Sequence, residues 1–118
     1  MGADSDGIDR TAPDRLRRQG GDRLLLKLAD SFLSRTPGRL AELRAAEAPG
    51  AVADLLHAFK TSCHLVGAVG MAARSEALEQ DAEDGALPDA DALDAMEADW
   101  ATVRAWLEEV RATVGEPS

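Results

Sequence analysis

The sequence predicts an all-α fold: an antiparallel up-and-down four-helix bundle with a short extra N-terminal helix. Three observations carry that prediction. Apolar residues recur at spacings of three and four through most of the chain, and no alternating strand pattern competes with them. Glycine and proline punctuate the periodic segments where helices should stop, at Gly20-Gly21, Pro49-Gly50, Gly67 and Gly85. The connections left between segments are short, which favours antiparallel neighbours. A chain of 118 residues is a single domain by size, with room for one modest core.

Residues 1–13 are polar, contain Gly2, Gly7 and Pro13, and are expected to stay unordered. The bundle is expected over residues 14–114, with a second unordered stretch at 115–118. A short amphipathic helix fits residues 14–19 and stops at Gly20-Gly21. Asp22 stands at a capping position before a helix that turns Leu25, Leu28 and Phe32 inward, with Leu24 at the margin. Thr36 is expected to cap the next helix, with Pro37 in its first turn, where a missing N–H costs nothing. Leu40 and Leu43 face inward there, and Pro49-Gly50 end it. A further helix runs from about Ala51 to Gly67, a natural left-handed C-cap. The segment 71–84 follows, with Leu78 and small alanines buried, and ends at Gly85. After Pro88-Asp89, the residues Leu93, Met96, Trp100, Val103, Leu107 and Val110 form a seam suited to shallow-angle helix packing. Trp100 lies on that seam. Trp106 lies off it and is expected at the edge, partly exposed, with local packing a better explanation than partner contact.

The net charge is −9, from 22 acidic and 13 basic residues, and it is unevenly spread. Ten carboxylates and no basic side chain lie between Glu76 and Asp99. Nucleic-acid backbones are bound by Lys and Arg, so this balance argues against such a partner. The acidic stretch reads equally well as a solvated face or as a field that orients partners. No apolar run approaches the roughly 20 residues that span a membrane. Residues 1–9 lack the charged-then-apolar pattern of a secretory signal, so a cytoplasmic protein is expected. Cys63 is the only cysteine, which excludes an internal disulfide and a cysteine-based zinc site. Its expected role is that of a small hydrophobe at the edge of the core.

The helix ending at Gly67 is the most informative segment. On a wheel of about 100° per residue with His57 at zero, Val52, Leu55, Phe59, Ser62 and Val66 gather on the far side. Leu56 and Cys63 stand at the edge of that face. Ala53, Asp54, Lys60, Thr61, His64 and Ala68 share the side of His57. An imidazole is thus presented to water with a lysine about one turn on, the arrangement expected of a nucleophile that receives an anion. A lone surface histidine would ordinarily have no task. The register His57, Phe59, Lys60, Thr61, Ser62, Val66, Gly67, Ala68 argues otherwise.

That register resembles the signature of histidine phosphotransfer (HPt) domains of two-component phosphorelays. Flanking residues extend the likeness: Gly21-Asp22, Leu24-Leu25-Leu26, Phe32-Leu33 and Pro37 before it, Met71, Ala77-Leu78-Glu79 and Gly85 after it. It covers roughly residues 15–112. Many members carry glycine just after the lysine; Thr61 stands there in this chain and narrows the approach to His57.

The resemblance implies that His57 is a phosphoacceptor and that Lys60 offsets charge on the phosphoryl oxygens. It also implies a docking face for receiver domains of response regulators or hybrid kinases, to which we assign Ala53, Asp54, Thr61, His64 and Ala68, with Gly67 serving the turn. Ser62 points toward the core side and is expected to pack or to bond the helix backbone. The receiver would bring the acceptor aspartate and Mg²⁺, so no metal or cofactor is expected on this chain, and a monomer is expected. No Gly-rich phosphate cradle is visible. On this reading the chain is a phosphoryl carrier and not an enzyme. His64 faces outward too, but lies about 10.5 Å from His57 along the axis, too far to share a phosphoryl group. Two alternatives remain open at this level. One is a helical adaptor that docks receivers or kinases without carrying phosphate. The other is the histidine-bearing domain of a chemotaxis-type kinase, phosphorylated by a kinase domain.

Overall fold

The computed structural model describes residues 4–115, which form four α-helices: α1 (Ala12–Ala45), α2 (Pro49–Val66), α3 (Val69–Glu83) and α4 (Ala90–Gly115). No strand occurs among the described residues. Each helix packs on its neighbour in sequence, and α4 closes the ring on α1. Ion pairs show the direction of that closure. Asp30 near the start of the long arm of α1 meets Arg111 near the end of α4, while Arg44 at the end of α1 meets Asp94 and Glu97 at the start of α4. These are the reversed pairings of an up-and-down bundle. The core centres on Phe32, which stacks on Phe59 at 5.8 Å and receives the edge of Trp100 at 5.8 Å. No helix among the described residues is long and apolar enough to cross a membrane.

The helix stop expected at Gly20-Gly21 is a kink within α1: Gly21 adopts φ 72°, which separates an N-terminal arm from the rest of the helix. Asp22 accepts from Arg17 Nε across the kink at 3.0 Å. The break expected at Thr36-Pro37 is absent, and α1 runs on to Ala45. The buried stripe Phe32, Thr36, Leu40, Leu43 keeps its register through the proline. Packing of that stripe outweighs the roughly 3 kcal/mol cost of an interior proline. Thr36 is buried and donates its hydroxyl back to the Phe32 carbonyl at 2.6 Å instead of capping.

The N-terminal segment departs from expectation as well. Residues 1–3 and 116–118 lie outside the described residues, but residues 4–13 pack on the bundle end and Gly115 closes α4. Ile8, the one large apolar residue between Asp4 and Thr11, is fully buried. Asp9 N–H donates to the Gly67 carbonyl and Gly70 N–H to the Gly7 carbonyl, each at 2.8 Å. A single buried isoleucine plus two backbone bonds thus orders a segment whose composition reads as a tail. Trp106 is corrected for the same reason: its ring lies over Gly67 and is buried, because the segment closes the edge it occupies. The seam of α4 is as expected, with Met96, Trp100, Val103 and Leu107 buried. Asp89 caps that helix by accepting from Ala92 N–H at 2.8 Å.

Candidate functional site

Helix α2 starts with Pro49 in its first turn and ends in a Schellman motif. Ala68 N–H donates to the Cys63 carbonyl at 2.8 Å and Gly67 N–H to the His64 carbonyl at 3.3 Å, with Gly67 at φ 93°. The chain turns back at once into α3. In such a helical hairpin, residues equally far from the turn stand side by side. His57 and Lys60 therefore come level with Glu79.

The buried arc of α2 is Val52, Leu56, Phe59, Cys63 and Val66. It is rotated toward Lys60 relative to the wheel, because α3 wraps that flank. Leu56 and Cys63 become fully buried, and burial pushes the Cys63 thiol up to about 12, leaving it an inert core group. Ser62 turns partly outward, where it receives Arg39 Nη1 at 3.2 Å and lies 3.5 Å from the Ala58 carbonyl.

His57 keeps 68% of its side chain exposed while its Nδ1 lies 3.0 Å from Glu79 Oε2. An ionised carboxylate only accepts, so Nδ1 carries the proton and Nε2 presents its lone pair to solvent. The other carboxylate oxygen, Oε1, accepts from Lys60 Nζ at 2.9 Å. Glu79 thus bridges imidazole and ammonium. The Lys60 bond, aided by His57, holds its carboxyl below the usual carboxylate range, and Glu79 in turn raises Lys60.

The sign of that coupling sets a pH window. The depressed Glu79 contributes stability above its ordinary value of 4.5, lost as pH falls through its folded value. The raised Lys60 loses its contribution only above its ordinary 10.5. A Glu79→Gln variant is therefore expected to denature at lower urea than wild type by a constant margin from about pH 5 to 10, closing below about pH 4. Urea midpoints across that range check this; a margin unchanged at pH 3 would show that the carboxylate is not the paired form.

Of the other residues assigned to the docking face, Asp54, Thr61 and His64 are exposed and Ala53 is half-buried. Thr61 Oγ1 lies 3.5 Å from the His57 carbonyl, so its hydroxyl is turned toward its own helix. Ala68 is corrected: the left-handed turn at Gly67 takes it off the helical wheel and buries it completely. Glu79 was missed, being counted among the acids of a solvated stretch. A signal was available, since Met71, Ala72, Ser75, Leu78 and Ala82 mark the buried stripe of α3 and place Glu79 on it. A carboxylate on such a stripe needs a partner.

Among the described residues no cluster of three or more His, Cys, Asp or Glu side chains is placed to hold a metal ion. No curated protein and no solved structure matches the chain. An exposed histidine oriented by a carboxylate on a helical bundle agrees with the family comparison: the model of the Hpt domain matches residues 27–113, and the chain belongs to that family of histidine phosphotransfer modules.

Proposed function

We propose that the protein is a phosphoryl carrier of a two-component phosphorelay, accepting the group on His57 from a receiver-domain aspartyl phosphate and passing it to an aspartate of another receiver. The observation that carries the reading is the His57–Glu79 contact, in which the carboxylate accepts from Nδ1–H and so leaves Nε2 free in an exposed ring. The Nε2 lone pair attacks phosphorus, an N–P bond forms, and the P–O bond to the aspartate breaks with its electrons on the departing carboxylate. The imidazole ring gains positive charge as it does so, and the Glu79 carboxylate beside Nδ1 offsets it. Transfer onward is the reverse step: the N–P bond breaks and the pair returns to Nε2.

Lys60, held on the same carboxylate, lies within one turn of the acceptor and neutralises phosphoryl oxygens during transfer. Asp54, Thr61 and His64 form the exposed rim against which the receiver seats, with the half-buried Ala53 at its N-terminal end. Mg²⁺ comes with the receiver, together with the acceptor aspartate. The chain carries the group without turnover of its own.

Incubation with receiver domains bearing radiolabelled aspartyl phosphate and Mg²⁺ tests this. Acid-labile, alkali-stable label should appear on the protein and chase onto a second, unlabelled receiver. A folded protein that takes no label from any receiver would leave the adaptor reading in its place.

A further inference from the structure

Resting on the phosphorelay reading, we infer that the cleft between α1 and the C-terminal part of α2 is the element that selects and orients the receiver, and that it takes an apolar side chain flanked by a carboxylate. The cleft has an apolar floor of Leu28, Phe32 and Val66, with Leu65 at its lip. Leu65 is 46% exposed, one of two large hydrophobic residues so exposed among those described. Arg35 and Arg39 line the same cleft.

The charges there are uncompensated. Among the described residues neither Arg35 nor Arg39 has a carboxylate within salt-bridge distance, although acids outnumber bases 22 to 13. Arg39 is fixed instead by neutral groups, with its guanidinium 5.8 Å from the Phe59 ring centre and bonded to Ser62. The two arginines stand four residues apart on one helical stripe, where like charges repel. An acidic protein that keeps two adjacent, uncompensated guanidiniums over an apolar floor has a surface complementary to a carboxylate beside a hydrophobic residue.

The cleft is continuous with the acceptor face. Thr61 and His64 share a second groove with Leu65, so one surface runs from His57 through Thr61 to the cleft, about 12 Å along the helix. The opposite flank has the other sign: Glu76 and Glu83 act on Lys60 there, beside Glu79. A receiver carrying carboxylates on its docking surface is attracted on the α1 side and repelled on the α3 side. One docking orientation over His57 is then favoured.

The test is an Arg35→Glu variant, because Arg35 is exposed and holds no structural bond among the described residues. Transfer from a labelled receiver is measured against receiver concentration at low and high salt. Arg104→Glu, the same charge change on α4, serves as the control. The expected result is a rise of about tenfold in KM for Arg35→Glu at low salt with a weakened salt dependence, and little change for Arg104→Glu. Leu65→Ser should raise KM at both salt concentrations. Equal effects of the two charge reversals, or an Arg35→Glu variant indistinguishable from wild type, would overturn the cleft while leaving the carrier function standing. Wild type that no receiver labels would overturn the carrier reading and this inference together.

Discussion

A His57→Gln variant is expected to take up no acid-labile label from any receiver, a loss of at least about a thousandfold, while melting within about 2 °C of wild type. Glutamine offers no lone pair at an amide nitrogen comparable to that of Nε2, so the N–P bond cannot form. The fold should be indifferent, because 68% of the His57 side chain is in solvent and none of the core depends on it. A glutamine amide can also donate to Glu79 in place of Nδ1, leaving the carboxylate paired with Lys60. The parallel His64→Gln variant should label normally. Label persisting in His57→Gln and lost in His64→Gln would move the acceptor along α2 and remove Glu79 from the mechanism.

Gly67→Ala is expected to lower stability by about 3 kcal/mol, which at this chain length is about 12 °C in Tm. Two costs combine. The residue sits at φ 93°, where a side chain costs roughly 1–2 kcal/mol. A Cβ there would also lie 2.6 Å from the Asp9 carbonyl oxygen, 2.8 Å from Ala12 Cβ and 3.2 Å from Trp106. The Asp9 backbone cannot retreat without breaking its own bond to the Gly67 carbonyl. Relief must come from lifting the N-terminal segment, which exposes Ile8 and the edge of Trp106. Thermal melts followed by circular dichroism check the value, and tryptophan emission should shift to the red. A drop below about 2 °C would show that the segment does not close over the turn.

Several parts of the molecule were legible in the amino-acid order because they depend on one helix at a time. The seam from Met96 to Leu107, the interruption at Gly20-Gly21 and the left-handed stop at Gly67 are local consequences of side-chain period and backbone permissiveness. The outward direction of His57 is of the same kind, since a helical wheel shows which residues oppose the apolar arc. Thr36-Pro37 shows where local reading fails. A cap-and-proline pair is a fair helix start, but the uninterrupted stripe from Phe32 to Leu43 gains more from staying in one helix than the backbone gains from breaking.

The partners of Glu79 and the burial of Ile8 and Ala68 lay beyond reach for a different reason. Periodicity reports a face about its own axis and is silent on which foreign element covers that face. By itself the sequence determined that this chain makes helices, where most of them stop, and that one of them shows water a histidine followed by a lysine. Only the tertiary structure decided that the α2–α3 hairpin sets Glu79 against both His57 and Lys60, and that residues 4–13 seal the turn below them. Those outcomes depend on the reversal at Gly67, which brings together residues 22 apart in the chain.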